Sequence, residues 1–213
     1  MDLVFFGMQG SGKGTQGALI AKKFNLKVFE TGGELRRLAK EDSPLGKKIK
    51  SIIEAGKLVD NEIVMEIIEN FMEHLEPNQN VLFDGIPRSQ VQAKSFNELL
   101  ERKGRIFKGV LIKITEEVAL SRLLTRRICE SCKKVFPADF TANSCAACNG
   151  NLITRKDDNE EAIKTRLHAF TSETLPVIEE YQKNGKMIEV DGTKRIEEVD
   201  KELQIILSPL LES

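Results

Sequence analysis

A glycine-rich run near the start of the chain constrains the fold more than any other feature. The residues from Gly7 to Lys13 read GMQGSGK and match the pattern G-x-x-x-x-G-K. They follow an apolar run at Leu3–Phe6 that suits a buried strand, and they precede helical spacing of apolar residues over Gln16–Phe24. A strand, a glycine turn and a helix start form a phosphate cradle, because the free N–H groups and positive dipole end of the helix face the anion.

The residues that follow the glycine run indicate how phosphate and magnesium are held. Lys13 would place a full positive charge on the β- and γ-phosphates of a nucleotide. The next residue is Gly14, and the hydroxyl comes one position later, in Thr15. Since the Ser or Thr directly after the lysine is the usual magnesium ligand, we expect magnesium to be held here through phosphate oxygens and water. A glycine turn without a ligand is the weaker interpretation, because each glycine costs about 0.5–1 kcal/mol of chain entropy.

The overall composition indicates a globular chain without a broad charge of either sign. Its 213 residues suffice for one large domain that does not need disulfides to fold. Lys and Arg number 32 and Asp and Glu number 33, so no general attraction to nucleic acid or to a membrane surface is expected. The start lacks a basic region followed by a long apolar core, and no apolar run reaches membrane-spanning length. We therefore expect a soluble cytoplasmic protein.

Short apolar strands alternate with amphipathic helices along the rest of the chain. Strands are predicted at 27–29, 81–85, 109–114 and 187–190. Helix starts are predicted at Thr31, Pro44, Asp60, Ser89 and Thr115, where Thr31, Asp60 and Thr115 would act as caps. A long helix over 160–182 should bend at Pro176, and a last helix covers 196–207. This alternation predicts an α/β fold in which helices cover both faces of a parallel sheet.

Charged residues follow two of the predicted strands. Asp84 ends the strand at 81–85, and Arg88 comes four residues later. Because ligands bind beyond the carboxyl ends of parallel strands, Asp84 is placed to meet a magnesium ion or its water shell, and Arg88 brings a guanidinium to the same edge. Standing alone, Asp84 could be a simple turn residue. On the helix that follows the next strand, Arg122 and Arg126 are four residues apart and lie on one face.

Four cysteines form two C-x-x-C pairs, Cys129 with Cys132 and Cys145 with Cys148. Twelve residues separate the pairs, close to the spacing of a four-cysteine zinc knuckle. Four thiolates complete the tetrahedral coordination of one metal ion and leave no position for water, so the metal should be structural and not catalytic. We expect Zn²⁺, with iron or cobalt as alternatives. The residues around the pairs, from 127 to 158, have few strong helix formers and indicate an inserted small subdomain.

Together these blocks resemble the adenylate kinase family, specifically its bacterial members with a long, metal-containing lid. The resemblance covers essentially the whole chain. It rests on Gly7–Thr15, Thr31-Gly32 with Arg36, 56–59, 84–88 with Gln92, Arg122, Arg126, both cysteine pairs, 154–158 with Arg166, and 191–194. It implies a P-loop nucleoside monophosphate kinase fold with a core at 1–29, 60–125 and 160–213, an AMP-binding insert at 30–59 and a lid at 126–159.

The resemblance also implies reversible phosphoryl transfer from Mg-ATP to AMP, which gives two ADP and maintains the adenine nucleotide balance. The implied ATP-binding residues are Gly10, Ser11, Gly12, Lys13, Gly14, Thr15, Arg122, Arg126 and Lys194, with Arg122 over the adenine. The implied AMP-binding residues are Thr31, Arg36, Lys57, Leu58, Val59, Gly85, Ile86, Pro87, Arg88, Gln92, Arg155 and Arg166. The implied catalytic residues are Lys13, Asp84, Arg88, Arg126, Arg155 and Arg166.

Three positions depart from the family pattern. Gln9 stands where a proline is usual, Gly33 where an aspartate normally follows Thr31-Gly32, and Ile86 where phenylalanine is common. None of these replacements removes a charged group that touches phosphate, so we expect activity to be kept.

Two other functions are compatible with parts of the sequence. A kinase for UMP or CMP stays open, because a single sequence does not settle the choice of base. A nucleic-acid-binding zinc module would need basic residues with interleaved aromatics around the cysteines, but Glu130 and Asp139 stand among them. The expected partners are therefore ATP, AMP and ADP, with no nucleic acid or membrane, and the expected state is a monomer.

Overall fold

The computed structural model of the protein describes residues 1–136, 140–155 and 158–212. Its strands are β1 (Asp2–Phe6), β2 (Lys27–Glu30), β3 (Val81–Asp84), β4 (Phe107–Lys113), β5 (Arg127–Cys129), β6 (Val135–Phe136), β7 (Leu152–Ile153) and β8 (Met187–Asp191). Its helices are α1 (Lys13–Lys23), α2 (Thr31–Leu38), α3 (Pro44–Glu54), α4 (Asn61–Glu73), α5 (Gln90–Arg102), α6 (Glu116–Thr125), α7 (Glu160–Ala169), α8 (Leu175–Lys183) and α9 (Ile196–Leu211). Asp139, Lys156 and Asp157, which belong to the sequence blocks above, lie outside the described residues.

Five of the described strands form one parallel sheet in the order β2-β3-β1-β4-β8. Successive residues of a strand point to opposite faces. Val4 and Phe83 accordingly join one buried apolar cluster, whereas Leu3 and Leu82 join another. Helices cover both faces, which confirms the predicted parallel sheet between two helical layers.

The strand order brings the ends of three strands to one edge of this sheet. The chain leaves β1 for β2 on one side and later returns to β4 on the other side, so the direction of winding changes at β1. The crevice beyond the carboxyl ends at such a point is where open α/β sheets bind ligands. Phe5 of β1 and Glu30 of β2 both pair with Asp84 of β3. The loop after β1 therefore lies beside the carboxyl ends of β2 and β3.

The capping residues are partly as predicted. The Thr115 hydroxyl accepts a hydrogen bond from the backbone N–H of Val118 at 3.4 Å, which confirms the predicted cap of α6. The prediction that Thr31 caps α2 is wrong. Strand β2 runs directly into the helix, so Glu30 takes the cap position and Thr31 becomes the first helical residue, with its side chain buried.

Two other local expectations also change in the structure. Asp60 occupies the cap position of α4, but its carboxylate pairs with Lys48 Nζ at 2.5 Å and makes no capping bond. The predicted bend at Pro176 gives way to a π-helical turn at Phe170–Thr174, between α7 and α8. Pro176 then falls in the first turn of α8, where a missing N–H removes no helical hydrogen bond.

A small antiparallel sheet, with the order β6-β5-β7, lies in the segment that carries the two C-x-x-C pairs. The described residues between 127 and 155 form the cysteine region. Its apolar cluster consists of Cys129, Phe136 and Cys145, with Phe140 and Leu152 packed against it. Among the helices of the described residues, none has both the length and the apolar character needed to cross a bilayer.

A buried ion pair ties the amino-terminal ends of the central strands together. Asp2, at the start of β1, is 1% exposed and accepts hydrogen bonds from Arg105 Nε and Nη2, both at 2.6 Å. The same carboxylate accepts the backbone N–H of Val81 at 2.8 Å, and Arg105 also donates to the carbonyl of Gln79 at 2.7 Å. One carboxylate thus fixes the relative positions of β1, β3 and the loop before β4.

Arg105→Ala is expected to lower the free energy of unfolding by about 3 kcal/mol, because it leaves the Asp2 charge buried without a partner. The loss should lie at the lower end of the range for broken buried ion pairs. The Arg105 side chain is 20% exposed, so water can replace part of its interaction with Asp2. Urea unfolding measures the change. Arg102→Ala is the matched control, because Arg102 pairs with Glu69 at the surface and should contribute less than about 1 kcal/mol. Equal losses in both variants would contradict the structural role of Asp2 and Arg105.

Candidate active site

A cavity of about 710 Å³ opens at the carboxyl edge of the main sheet. Its wall includes the loop after β1, the ends of β2 and β3, and residues of α2, α6 and α7. Every residue assigned above to ATP, AMP or catalysis lies on this wall, although these residues are spread along the chain from Gly10 to Lys194. Phe136 and Phe140 of the cysteine region also line it, and the sequence did not mark them.

The loop between β1 and α1 has the geometry of an anion cradle. Gly10 and Gly12 have φ angles of +87° and +95°, which glycine adopts readily and other residues do not. A Cβ at Gly10 would also lie 3.0 Å from the backbone carbonyl oxygen of Ala119. Lys13 is the first residue of α1, so the free N–H groups of the helix start face the same space as the loop.

Lys13 is held inside this loop by backbone oxygens. Its Nζ donates to the carbonyl of Gly7 at 2.8 Å and to that of Met8 at 3.4 Å. Burial lowers the pKa of Lys13, and the nearby Asp84 carboxylate partly opposes that shift. Burial likewise raises the pKa of Asp84, against the opposing charge of Lys13. An arriving phosphate would stabilise the lysine charge, and a divalent cation would stabilise the carboxylate.

Arg88 is held by backbone contacts on both sides. Its Nε donates to the carbonyl of Gly85 at 2.8 Å, and its backbone N–H donates to Gln92 Oε1 at 2.9 Å. Its carbonyl accepts the Thr174 hydroxyl, at 2.8 Å, from the end of the π-helical turn. Burial lowers the pKa of Arg88, as expected for a cation kept partly out of water. No local sequence pattern indicates the contact with Thr174, which lies 86 residues away along the chain.

Two further arginines meet on one buried carboxylate. Arg126 donates from Nε and Nη2 to Asp158, at 2.9 and 2.6 Å, and Arg166 Nη2 donates to the same carboxylate at 2.8 Å. Burial alone would raise the pKa of Asp158, but the charges and hydrogen bonds of Arg126 and Arg166 hold it below its ordinary value. Asp158 thereby gathers two guanidinium groups beside the cavity, and the sequence did not mark it as the centre of such a cluster.

Two more cationic residues of the wall, Arg122 and Lys194, make contacts of their own. Arg122 Nη1 donates to the carbonyls of Gly10 and Gly192, at 3.3 and 3.0 Å, and so joins the glycine loop to the loop after β8. Lys194 pairs with Glu202 at 2.7 Å. The placement of Arg122 over an adenine stays a prediction.

Two hydroxyl groups on the wall, those of Ser11 and Thr31, have no hydrogen-bond partner in the part of the chain that the structure describes. Among the described residues, Ser11 Oγ and Thr31 Oγ1 are buried without a hydrogen-bond partner. Ser11 belongs to the glycine loop and Thr31 to the start of α2, so the two hydroxyls lie in the parts of the wall assigned to different nucleotides. Buried polar atoms are nearly always paired, and a bound ligand would supply the missing partners.

The four cysteines converge on one point. Their sulfur atoms all lie within 4.8 Å of one another, as ligands of a single metal ion would. In each C-x-x-C turn a backbone N–H points at a sulfur, from Cys132 to Cys129 and from Ala147 to Cys145, both at 3.4 Å. Several hydrogen bonds, chiefly that from the N–H of Cys132, lower the pKa of the Cys129 thiol to about 6, which favours the thiolate that a metal requires. The donor set therefore fits a closed tetrahedral site.

A sequence model of one known family matches most of this chain. The model is that of adenylate kinase, and it matches residues 5–186. The chain belongs to the adenylate kinase family. This confirms the resemblance found in the sequence and the P-loop kinase fold that the resemblance implies.

Curated adenylate kinases from several organisms are similar to the chain over nearly its full length. The one from Petrotoga mobilis is 37% identical over 214 residues, which is 97% of each chain. Those from Dehalococcoides mccartyi and Archaeoglobus fulgidus are 36% and 34% identical, over 95% and 99% of each chain. These relatives carry the adenylate kinase name, so the alternative of a UMP or CMP kinase is not favoured.

Proposed function

We propose residue roles for the reaction that membership of the adenylate kinase family gives this chain. That reaction is the reversible transfer of a phosphoryl group between Mg-ATP and AMP, which gives two ADP and keeps the adenine nucleotides in balance. The observation that carries the proposal is the single cavity on which the glycine loop, Arg88 and the Arg126–Arg166 cluster all lie. These groups come from distant parts of the chain, and phosphate is the chemistry they share.

The glycine-loop end of the cavity is proposed to hold Mg-ATP. The backbone N–H groups of Gly10–Thr15 and the Lys13 ammonium would bind the β- and γ-phosphates, with Arg126 beside them. Arg122 and Lys194 would flank the rest of ATP. Asp84 suits a magnesium ion or its water shell, because burial disfavours the charge of its carboxylate and raises its pKa, and a nearby cation would stabilise that charge. When bound with ATP, the ion would neutralise part of the negative charge of the phosphates.

The opposite end of the cavity is proposed to hold AMP. The proposed binding residues are Thr31, Arg36, Lys57, Leu58, Val59, Gly85, Ile86, Pro87, Arg88, Gln92, Arg155 and Arg166. Thr31 supports this role because its buried hydroxyl has no partner among the described residues. Gln92 supports it through the hydrogen bond by which it fixes the backbone of Arg88.

The chemistry requires positioned cations more than a general base. Phosphoryl transfer passes through a loose transition state with negative charge on the moving group. The cations proposed to surround that group are Lys13, Arg88, Arg126, Arg155 and Arg166. The planar guanidinium of arginine can bind two phosphate oxygens at once, which a lysine ammonium cannot do in the same way.

We propose the division into core, AMP-binding insert and lid that the family resemblance implies. Residues 1–29, 60–125 and 160–213 would form the core, residues 30–59 the AMP-binding insert and residues 126–159 the lid. A lid that closes over the cavity would exclude water, which would otherwise accept the phosphoryl group and hydrolyse ATP. Phe136 and Phe140 support this role, since they come from the cysteine region and line the cavity.

The metal, assembly and location are also proposals. The cysteine cluster would hold structural Zn²⁺, with iron or cobalt as the other candidates. The monomer is supported by a cavity wall that one chain supplies for both nucleotides. Cytoplasmic location is supported by paired cysteines arranged for a metal, since thiols stay reduced in that compartment.

The choice of acceptor provides the direct test of this function. With Mg-ATP as donor, AMP is expected to exceed CMP, UMP and GMP in kcat/KM by about 100-fold or more, because buried groups that pair with one base are left unpaired by another. A coupled assay of ADP formation measures the four acceptors on one preparation. A preference for a pyrimidine nucleotide would contradict the assignment, and the absence of ADP with AMP would contradict the function.

A further inference from the structure

Glu30 places a second carboxylate among the cations of the cavity. It is the last residue of β2, pairs with Asp84 in the sheet and lines the cavity wall. Its Oε1 accepts a hydrogen bond from Arg36 Nη2 at 2.8 Å. Arg36 is one of the residues proposed to bind AMP, so an internal anion already contacts a group assigned to the phosphate of the substrate.

The start of α2 is shaped to accommodate this ion pair. Because β2 runs directly into α2, Glu30 holds the cap position and Arg36 lies in the second turn of the helix. A Cβ at position 33 would lie 2.9 Å from Glu30 Oε2, and one at position 32 would lie 3.1 Å from Arg36 Nη1. Gly32 and Gly33 therefore leave room for the two side chains. An aspartate at position 33, the residue usual in the family, would crowd the Glu30 carboxylate and repel it.

The charge of Glu30 also acts on other residues of the site. Burial is the main cause of the raised pKa of Asp84, and Glu30 adds to the rise. For Lys13, burial lowers the pKa, whereas Asp84 and more weakly Glu30 raise it. Glu30 is therefore close enough to influence groups that would surround the phosphates. Its side chain is 50% exposed and that of Arg36 is 32% exposed, so water can reach the pair and the contact can exchange.

We propose that Glu30 sets the affinity for the nucleoside monophosphate, because its carboxylate competes with the phosphate of that nucleotide for Arg36. An incoming phosphate must share or take over the guanidinium, and it meets the negative charge of Glu30 as it does so. The result is weaker binding of AMP than the cationic wall would otherwise allow. The proposal rests on the AMP-binding role of Arg36, which Glu30 contacts directly. Its influence on Lys13, at the ATP end of the cavity, is weaker.

The test is Glu30→Gln in the full chain with its metal bound. The amide keeps the size of the side chain but removes the charge, so the KM for AMP is expected to fall about three- to tenfold, whereas the KM for ATP changes less than about twofold. The fall should be largest at low ionic strength and smaller in about 0.5 M salt, because salt screens exposed charges. The Kd of AMP, measured by calorimetry without ATP, should fall in parallel.

Glu34→Gln is the matched control. Glu34 pairs with Arg37 at 3.0 Å on the same helix, and it lies outside the described lining of the cavity. Its loss should leave the KM for AMP unchanged. An equal fall in both variants would overturn the proposal, since it would reflect net charge and not competition at Arg36. An unchanged KM in Glu30→Gln would also overturn it.

A second pair of variants isolates the competition itself. In an Arg36→Ala background, Glu30→Gln is expected to lower the KM for AMP less than about twofold, because the contested guanidinium is gone. The same fall in that background as in the native chain would show simple repulsion and overturn the competition. Failure of the proposed function is distinguishable, because the unaltered chain would then form no ADP from ATP and AMP.

Discussion

Arg88→Ala is expected to reduce kcat for ADP formation by about 1,000-fold or more. An arginine that stabilises the charge of a phosphoryl-transfer transition state contributes about 10³–10⁵ in rate. Arg88 is suited to this role because the Gly85 carbonyl holds its Nε, and Gln92 and Thr174 hold its backbone. Its outer nitrogens are thus held in a fixed orientation toward a phosphate. Because the side chain is already ordered before the substrate binds, little of its conformational entropy is lost on binding.

The same substitution should leave stability nearly unchanged. Burial lowers the pKa of Arg88, which means that the folded state disfavours its charged form relative to water. Removal of that charge therefore relieves a cost, which offsets the lost hydrogen bond to Gly85. We expect a melting temperature within a few degrees of the unaltered protein, so that the loss of rate reports on chemistry and not on unfolding.

Two further variants complete this experiment. Arg88→Lys should restore only a small part of the rate, because an ammonium lacks the planar fork that binds two oxygens. Arg102→Ala is the control for loss of an arginine from the same region, since Arg102 lies at the end of α5 and pairs with Glu69 at the surface. It should keep the full rate. A rate for Arg88→Ala within tenfold of the unaltered chain would contradict the assigned role.

Features coded by neighbouring residues were predictable from the sequence. The strand, glycine loop and helix at Leu3–Phe24 depend on local spacing and on glycines at positive φ, so the pattern alone identified them. The two C-x-x-C pairs were equally clear, because each pair is a tight turn and a shared metal would explain why the turns meet. The alternation of strands and helices predicted the parallel sheet, because parallel strands are joined by long crossover connections that are usually helices.

Features that depend on distant residues were not predictable in the same way. Asp158 binds Arg126 across 32 positions and Asp2 binds Arg105 across 103, and no local pattern connects either pair. The wrong cap at Thr31 has a related cause. Its residue type suits a cap, but the pairing of β2 with β3 extends the strand to Glu30 and shifts the helix start. Tertiary structure thus overrides a local preference where two elements join directly.

Cys129→Ser is expected to release the metal and destabilise the cysteine region. Its described strands β5, β6 and β7 contain only three, two and two residues. The apolar cluster beside them is small, since Phe136 is its one large buried side chain among the described residues. Zinc binding contributes about 10–16 kcal/mol of apparent free energy in small zinc-finger peptides, which is more than such a cluster can replace.

The expected readouts separate folding from chemistry. The purified chain should contain one metal ion for every four cysteine thiols, and the Cys129→Ser variant should contain little metal. A chain of this size loses roughly 2–4 °C of melting temperature for each kcal/mol, so we expect a fall of about 10 °C or more. Limited proteolysis should cut first within residues 126–159. Phosphoryl transfer at low temperature should change much less than stability, because the sulfur atoms contact no substrate in a closed tetrahedral site.

Ser131→Ala provides the control within the same turn. Ser131 lies between Cys129 and Cys132, is exposed and offers no ligand to the four-sulfur site. This variant should keep both the metal and the melting curve. Removal of the metal from the unaltered chain with a chelator should reproduce the effect of Cys129→Ser, and added Zn²⁺ should reverse it. If Cys129→Ser melted like the unaltered chain, the cysteine region would have to be held by its apolar contacts alone, and the structural role of the metal would be wrong.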